Sequence, residues 1–227
     1  MTLVLAAHGT RDSAGSRVVH DLARRVRDRL SGVDVRVAFA DVRSPSVAEV
    51  VASVAGPVVV VPAFLAAGYH VRVDIPAQVL RSGHSQVTFT EPLGPSSALV
   101  AAMHERLVEA GWRNSPLVLA AAGSSDPRAL ADVRTAARLL ASSTSVPVRI
   151  GYLATARPLV ADVLCDNDFV ASWLLAPGVF HRMVRDLTGR VSEPIGAHPN
   201  VVDLVVRRYK SSNSPGGPVS GRTASQR

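Results

Sequence analysis

Leu3 to Asp12 reads LVLAAHGTRD, and Leu117 to Asp126 reads LVLAAAGSSD. Seven of the ten positions are identical, without a gap. Each stretch is a short apolar run closed by glycine and a polar turn, the pattern of a buried strand feeding a helix. Working outward, three further blocks recur in the same order. Val35 to Pro45 lines up with Val148 to Pro158. Phe64 to Gly68 (FLAAG) lines up with Leu174 to Gly178 (LLAPG). Glu91 to Leu107 lines up with Glu193 to Tyr209. Similar composition can produce one such match, but hardly four in register, so the chain reads as an internal duplication.

Each copy alternates strands and helices. In the first copy, Leu3–Ala7, Val33–Ala40, Val58–Val61 and Val87–Phe89 read as strands. Ser13–Leu30, a segment from Ser44-Pro45 to about Ala55, one opened by Asp74 and Pro76, and Ser97–Ala110 read as helices. In the second copy the strands are Leu117–Ala121, Val146–Tyr152 and Val170–Leu175. The helices are Pro127–Ser142, one opened by Arg157-Pro158, Val179–Leu187 and Pro199–Tyr209. Helices between successive strands imply an α/β architecture of two similar lobes, each a mainly parallel sheet flanked by helices. The expected division is 1–112, 113–210 and a disordered, Ser/Gly/Pro-rich tail over 211–227.

Composition narrows the function classes. The single cysteine, Cys165, excludes an internal disulfide framework, reads as a buried structural thiol and fits a cytoplasmic protein. The net charge of +7 comes almost entirely from arginine, since Lys210 is the only lysine, and points to acidic small molecules or nucleic acid. Only 4% of residues are aromatic and none interleaves a basic cluster, which argues against a single-strand nucleic-acid platform. Val50–Tyr69 is nearly uncharged, but Gly56-Pro57, Pro62 and Gly68 break it into a helix end, a strand and a loop rather than a membrane span.

The copies differ in an informative way. His8 corresponds to Ala122, Asp41 to Ala154, His70 to Phe180 and Arg11 to Ser125. A structural role common to both copies does not predict this loss, whereas one working site on the first copy does. His8 is expected just after the first strand, Asp41 just after the second and His70 in the loop after the third, at the carboxyl ends where open α/β sheets bind ligands. Two imidazoles and a carboxylate suit Fe, Co, Ni or Zn, and also proton transfer near neutral pH. Asp41 is open to a second reading as a helix cap. His20, His84, His104, His181 and His198 read as surface or packing residues.

LAAHGTRD at Leu5–Asp12 and VPAFLAAGYHVRVDIP at Val61–Pro76 resemble the two signatures of the sirohydrochlorin chelatases, both the long cobalt-inserting and the iron-inserting types. The resemblance spans Thr2 to Tyr209. It implies an ATP-independent class II chelatase with two chelatase-like lobes, in which His8 and His70 bind Co²⁺ or Fe²⁺ as substrate and help remove pyrrole protons. The family usually has glutamate where Asp41 stands. No permanently bound cofactor is implied, and no GxxxxGK[ST] phosphate loop is present. Sirohydrochlorin carries eight carboxylates, so Arg11, Arg43 and Arg72 are candidate substrate-binding residues. Expected partners are sirohydrochlorin and a divalent metal, with neither nucleic acid nor membrane, in a monomer. A metal or tetrapyrrole carrier and a nickel chelatase share the same ligands and stay open. A phosphohistidine enzyme is disfavoured, because Ala7 precedes His8-Gly9 where that chemistry wants arginine.

Overall fold

The computed structural model describes residues 1–212. Two parallel sheets form the frame. The first joins β1 (Thr2–Ala7), β2 (Asp34–Phe39), β3 (Val58–Pro62) and β4 (Val87–Phe89) in the order β2-β1-β3-β4. The second joins β5 (Leu117–Ala121), β6 (Val148–Tyr152) and β7 (Phe169–Trp173) in the order β6-β5-β7. Where the first sheet has β4, the second keeps only a parallel bridge from Val170 to Val191. The helices are α1 (Ser13–Arg29), α2 (Val47–Ala52), α3 (Ile75–Arg81), α4 (Ser97–Glu109), α5 (Pro127–Thr144), α6 (Val160–Val163), α7 (Val179–Leu187) and α8 (Pro199–Ser212).

Strand alternation splits each sheet between two cores. Val4, Ala6, Val58 and Val60 face α2 and α3, packing on Val47, Val50, Val51, Ile75 and Val79. Leu3, Leu5, Val59 and Val61 face the other way, into a core shared with Leu117, Leu119, Ala171 and Trp173 of the second sheet. The short apolar runs are buried on both faces, as parallel strands require. Helices cross between the lobes. α4, from the first copy, packs on α5 and β7, while α8, from the second, packs on α1 and β3. The expected 112/113 boundary therefore runs through one continuous core.

Several expectations need correction. The helix expected from Ser44-Pro45 to Ala55 is shorter. The Pro45 carbonyl still accepts from the Phe39 amide at the end of β2, and Ser46 caps α2 in a capping box with Glu49. The second copy repeats this: the Pro158 carbonyl accepts from Tyr152, and α6 starts only at Val160. His70 does not lie in a loop. It opens a π-helical turn, His70–Asp74, that runs directly into α3. Cys165 is exposed rather than buried, with its Sγ 3.4 Å from Arg149 Nη1. Helix α8 continues through Ser212, where the tail was expected to have begun, and 213–227 lies outside the described residues. No helix among the described residues is long and apolar enough to cross a membrane.

Candidate metal centre

Two contacts between distant segments bring the site together. β1 delivers His8 at its carboxyl end, and Gly9 follows with φ +97°. A Cβ on Gly9 would stand 2.0 Å from the Asp41 carbonyl oxygen, so only glycine lets the two loops touch. The Asp41 amide donates to the His8 carbonyl at 2.9 Å and closes the crossing. The second copy keeps this backbone almost unchanged: Gly123 has φ +94°, a Cβ there would stand 1.9 Å from the Ala154 carbonyl oxygen, and the Ala154 amide donates to Ala122 at 3.0 Å. The scaffold is common to both lobes. The histidine is not.

His70 comes from the turn after β3. Its loop rests on the second lobe, where the Asp132 carboxylate of α5 accepts from the Ala67 amide at 2.8 Å. The His8 and His70 ring centres are 4.4 Å apart at an interplanar angle of 71°. Phe64 stands beside both, at 6.3 and 6.2 Å. The expected convergence of residues distant in sequence is thus met for these two.

The hydrogen bonds define the tautomers. His8 Nδ1 lies 3.2 Å from the Gly9 carbonyl oxygen, which can only accept, so Nδ1 carries the proton. His70 Nδ1 lies 3.0 Å from Asp74 Oδ2, and again the carboxylate accepts. Both Nε2 lone pairs are left for a ligand, the usual arrangement of metal-binding histidines. Partial burial of the ring, and then the neighbouring His70, hold the His8 pKa below 6.5, against smaller opposing effects of the Gly9 carbonyl and Asp41. His8 is exposed. A neutral His8 at pH 7 is a ready ligand. An ion bonded at about 2.1 Å to one nitrogen of each ring lies roughly 3.2 Å from each ring centre. A 4.4 Å separation of the ring centres is short enough for one ion to reach both rings.

The pair sits in a cleft of about 510 Å³ between the lobes. His8, Phe64, Tyr69 and His70 line one side, and Ala122, Leu174, Leu175 and Phe180 line the other. Asp41 is not in this cleft. It lies in an outer depression with His70 and Asp74, and its Oδ1 accepts from the Val42 amide at 2.7 Å. Among the described residues no group of three His, Cys, Asp or Glu side chains is placed to hold one ion. The structure offers two imidazoles with open positions, not a closed cage.

The arginines divide. Arg11 lines a groove beside His8's loop with Arg182 of α7. Arg43 Nη1 donates to the Thr10 carbonyl at 3.1 Å, close to the same rim. Arg72 is not among the residues lining the cleft, and its Nε donates back to the Ala67 carbonyl at 2.7 Å. Asp12, read only as part of a motif, caps α1 through the Ala14 amide and pairs with Arg182 across the lobes at 2.5 Å. That pairing, first, and the Ala14 amide, second, hold the Asp12 carboxyl below its usual range. Asp74, expected to open a helix, and Gln78, not singled out in the sequence, both stand behind His70. Their only signal is the spacing His70, Asp74, Gln78, four residues apart on one helical face. The remaining histidines are packed, bonded or on the surface: His181 and His198 are buried, His84 meets the Val54 carbonyl, His104 meets Ser143, and His20 is exposed beside Phe39.

Fold and site together define a two-lobed α/β protein with two neighbouring imidazoles on one side of the cleft between its lobes. The CbiX family model matches residues 2–110 and 116–212, and the chain belongs to that family. It is similar to the sirohydrochlorin ferrochelatase of Bacillus subtilis strain 168, 24% identical over 243 residues that cover 94% of this chain and 93% of the relative. Its fold resembles that of SirB from Bacillus subtilis solved with Fe³⁺, at a TM-score of 0.78 and 24% identity over 93% of this chain and 94% of that one. It also resembles the sirohydrochlorin chelatase SirB from Bacillus subtilis subspecies spizizenii in complex with cobalt. There the TM-score is 0.81 and the identity 23%, over 95% of this chain and 97% of that one.

Proposed function

We propose that this chain inserts Co²⁺ or Fe²⁺ into sirohydrochlorin, without nucleotide hydrolysis, in cobalamin or sirohaem biosynthesis. The observation that carries the reading is the His8–His70 pair, 4.4 Å apart at the interlobe cleft with each Nδ1 already engaged. Family membership and the ferrochelatase relatives support it.

In this reading residues 1–112 carry the active lobe. Residues 113–210 supply a wall without metal-binding side chains. The incoming ion rests on the two Nε2 atoms with its remaining positions open. The macrocycle enters with one face toward the imidazoles and the other against Phe180 and Leu174. Its carboxylates project past the cleft toward Arg11 and Arg43 beside the His8 loop, while Arg72, bonded to the Ala67 carbonyl, meets them only by turning away from that bond. As pyrrole nitrogens replace imidazole nitrogens on the metal, two N–H protons must leave. A freed Nε2 is the nearest base, and the depressed pKa of His8 lets it pass the proton on to water at neutral pH. Asp41 acts from the outer side, where its charge favours a cation near His8. The protein works as a cytoplasmic monomer, because the duplication already places two lobes around one cleft, and it needs neither nucleic acid nor a membrane.

The test is anaerobic mixing of sirohydrochlorin with Co²⁺ or Fe²⁺ and catalytic amounts of protein, followed by absorbance. Multiple turnovers with either metal are expected. A single stoichiometric binding event that then stops would identify a carrier, and turnover with Ni²⁺ alone would identify a nickel chelatase.

A further inference from the structure

Asp74 stands where a helix-capping aspartate would be expected, just before Ile75 and Pro76. It caps nothing. Its φ and ψ are −71° and −51°, already helical, and its side chain makes no capping bond. Its two oxygens are used elsewhere: Oδ2 meets His70 Nδ1 at 3.0 Å, and Oδ1 accepts from Gln78 Nε2 at 3.2 Å.

Gln78 is 5% exposed, a burial that is costly for an amide unless every polar atom is matched. Nε2 also donates to the Ala40 carbonyl at 2.7 Å, and Oε1 accepts from the Val47 amide at 3.1 Å. This pattern allows one amide orientation, because Ala40 and Asp74 need donors and Val47 needs an acceptor. A continuous chain therefore runs from the Ala40 carbonyl, next to Asp41, through Gln78 and Asp74 to the Nδ1–H of His70. In the register that pairs His70 with Phe180, Asp74 pairs with Val184 and Gln78 with Thr188. Val184 is fully buried and apolar. The chain is absent from the lobe that lacks the histidines.

We infer that Asp74 and Gln78 are positioning residues for the metal step. Asp74 orients the His70 ring and makes its Nε2 a stronger donor. Gln78 holds Asp74 at a fixed distance from the loop that carries Asp41 and contacts His8. Carboxylate–histidine support of this kind changes metal affinity by roughly 10–100-fold when removed. The inference rests on the chelatase reading only for the identity of the ion.

The test uses the full chain and Co²⁺ alone, with affinity and the visible d–d band as readouts, and circular dichroism to check folding. Asp74→Ala is expected to weaken Co²⁺ binding roughly 10–100-fold and to shift the band. Asp74→Asn, which keeps an oxygen able to accept from Nδ1, should restore part of the loss. Gln78→Leu should weaken binding in the wild-type background but change it by less than about twofold in Asp74→Ala, since the two act in series. His70→Ala is the positive control. Wild-type affinity and an unchanged band in Asp74→Ala would overturn the inference, as would an equal Gln78→Leu effect in both backgrounds. If Asp74→Ala misfolds, Asp74→Asn and Gln78→Leu are each compared with wild type, and wild-type Co²⁺ affinity with an unchanged band in both overturns the inference. Wild-type protein that binds Co²⁺ through His70 yet leaves sirohydrochlorin unmetallated would sink the chelatase reading and leave the positioning result standing.

Discussion

Gly9→Ala and Gly123→Ala are the same perturbation made at two equivalent crossings, one with the histidine and one without. In each, the residue sits at positive φ, +97° and +94°, and the new methyl would lie 2.0 or 1.9 Å from a carbonyl oxygen. Left-handed backbone costs a non-glycine residue roughly 1–2 kcal/mol. Relieving the clash must separate the loops, which breaks the hydrogen bond from Asp41 to His8, or from Ala154 to Ala122, worth about 1 kcal/mol. A loss of roughly 2–3 kcal/mol is expected for either variant, lowering the melting midpoint by about 4–12 °C in a chain of this size. Their effects on function should part. Gly9→Ala moves the backbone that aims His8 at His70, and a displacement near 1 Å in such a site costs on the order of 100-fold in rate. Gly123→Ala moves Ala122 and the cleft wall around it, a stretch that carries neither of the two imidazoles. The assay is Co²⁺ insertion well below both midpoints, beside thermal unfolding. If Gly123→Ala loses insertion activity as severely as Gly9→Ala, or if Gly9→Ala melts like wild type, the reasoning is wrong.

Other outcomes are expected from the same geometry. His8→Ala and His70→Ala should each abolish detectable metal insertion, whereas His181→Ala, which removes a buried ring bonded to the Ser192 carbonyl, should lower stability and leave Co²⁺ affinity near wild type; calorimetric titration with Co²⁺ separates the two. Because the His8 pKa is held below 6.5, its protonated form is disfavoured, and metal binding through His8 should persist below pH 6.5 and fade only as the pH drops further. Asp41→Ala removes a charge that raises that pKa and should move the acid limb of Co²⁺ binding lower still; a shift toward higher pH would contradict the assigned cause. Asp132→Ala leaves the Ala67 amide without its carboxylate partner, a loss of about 1.5–3 kcal/mol, and should weaken Co²⁺ binding although Asp132 belongs to the other lobe; unchanged affinity would show that the His70 loop needs no support from α5.

Much of the scaffold was legible because parallel strands write themselves as short apolar runs. Val58–Val61 and Leu117–Ala121 are buried on both faces, so their burial appears directly in composition. Helix starts were less legible near proline. Ser44-Pro45 has the spelling of a cap and first turn, yet Pro45 is spent on Phe39, and Ser46 with Glu49 does the capping. His70 was misplaced for a related reason: Gly68 signals a break, but the Gly68 carbonyl accepts from Val71 and Arg72 and starts a helical turn at once. Asp74 resembled a cap in sequence, and only its helical dihedrals and its bond to His70 show otherwise.

The duplication, the parallel α/β class and the one-sided loss of His8, Asp41 and His70 in the second copy are all properties of residue order, and reading the chain against itself was enough to find them. The 4.4 Å meeting of two imidazoles, the exclusion of Asp41 from their cleft, the exchange of α4 and α8 between lobes and the Gln78–Asp74 chain are distances through space. They depend on how loops cross, through contacts such as Gly9 against Asp41 and Ala67 against Asp132, between segments tens of residues apart. A periodic pattern shows which face of an element is buried, but not which distant backbone will lie against it; packing in three dimensions decides that.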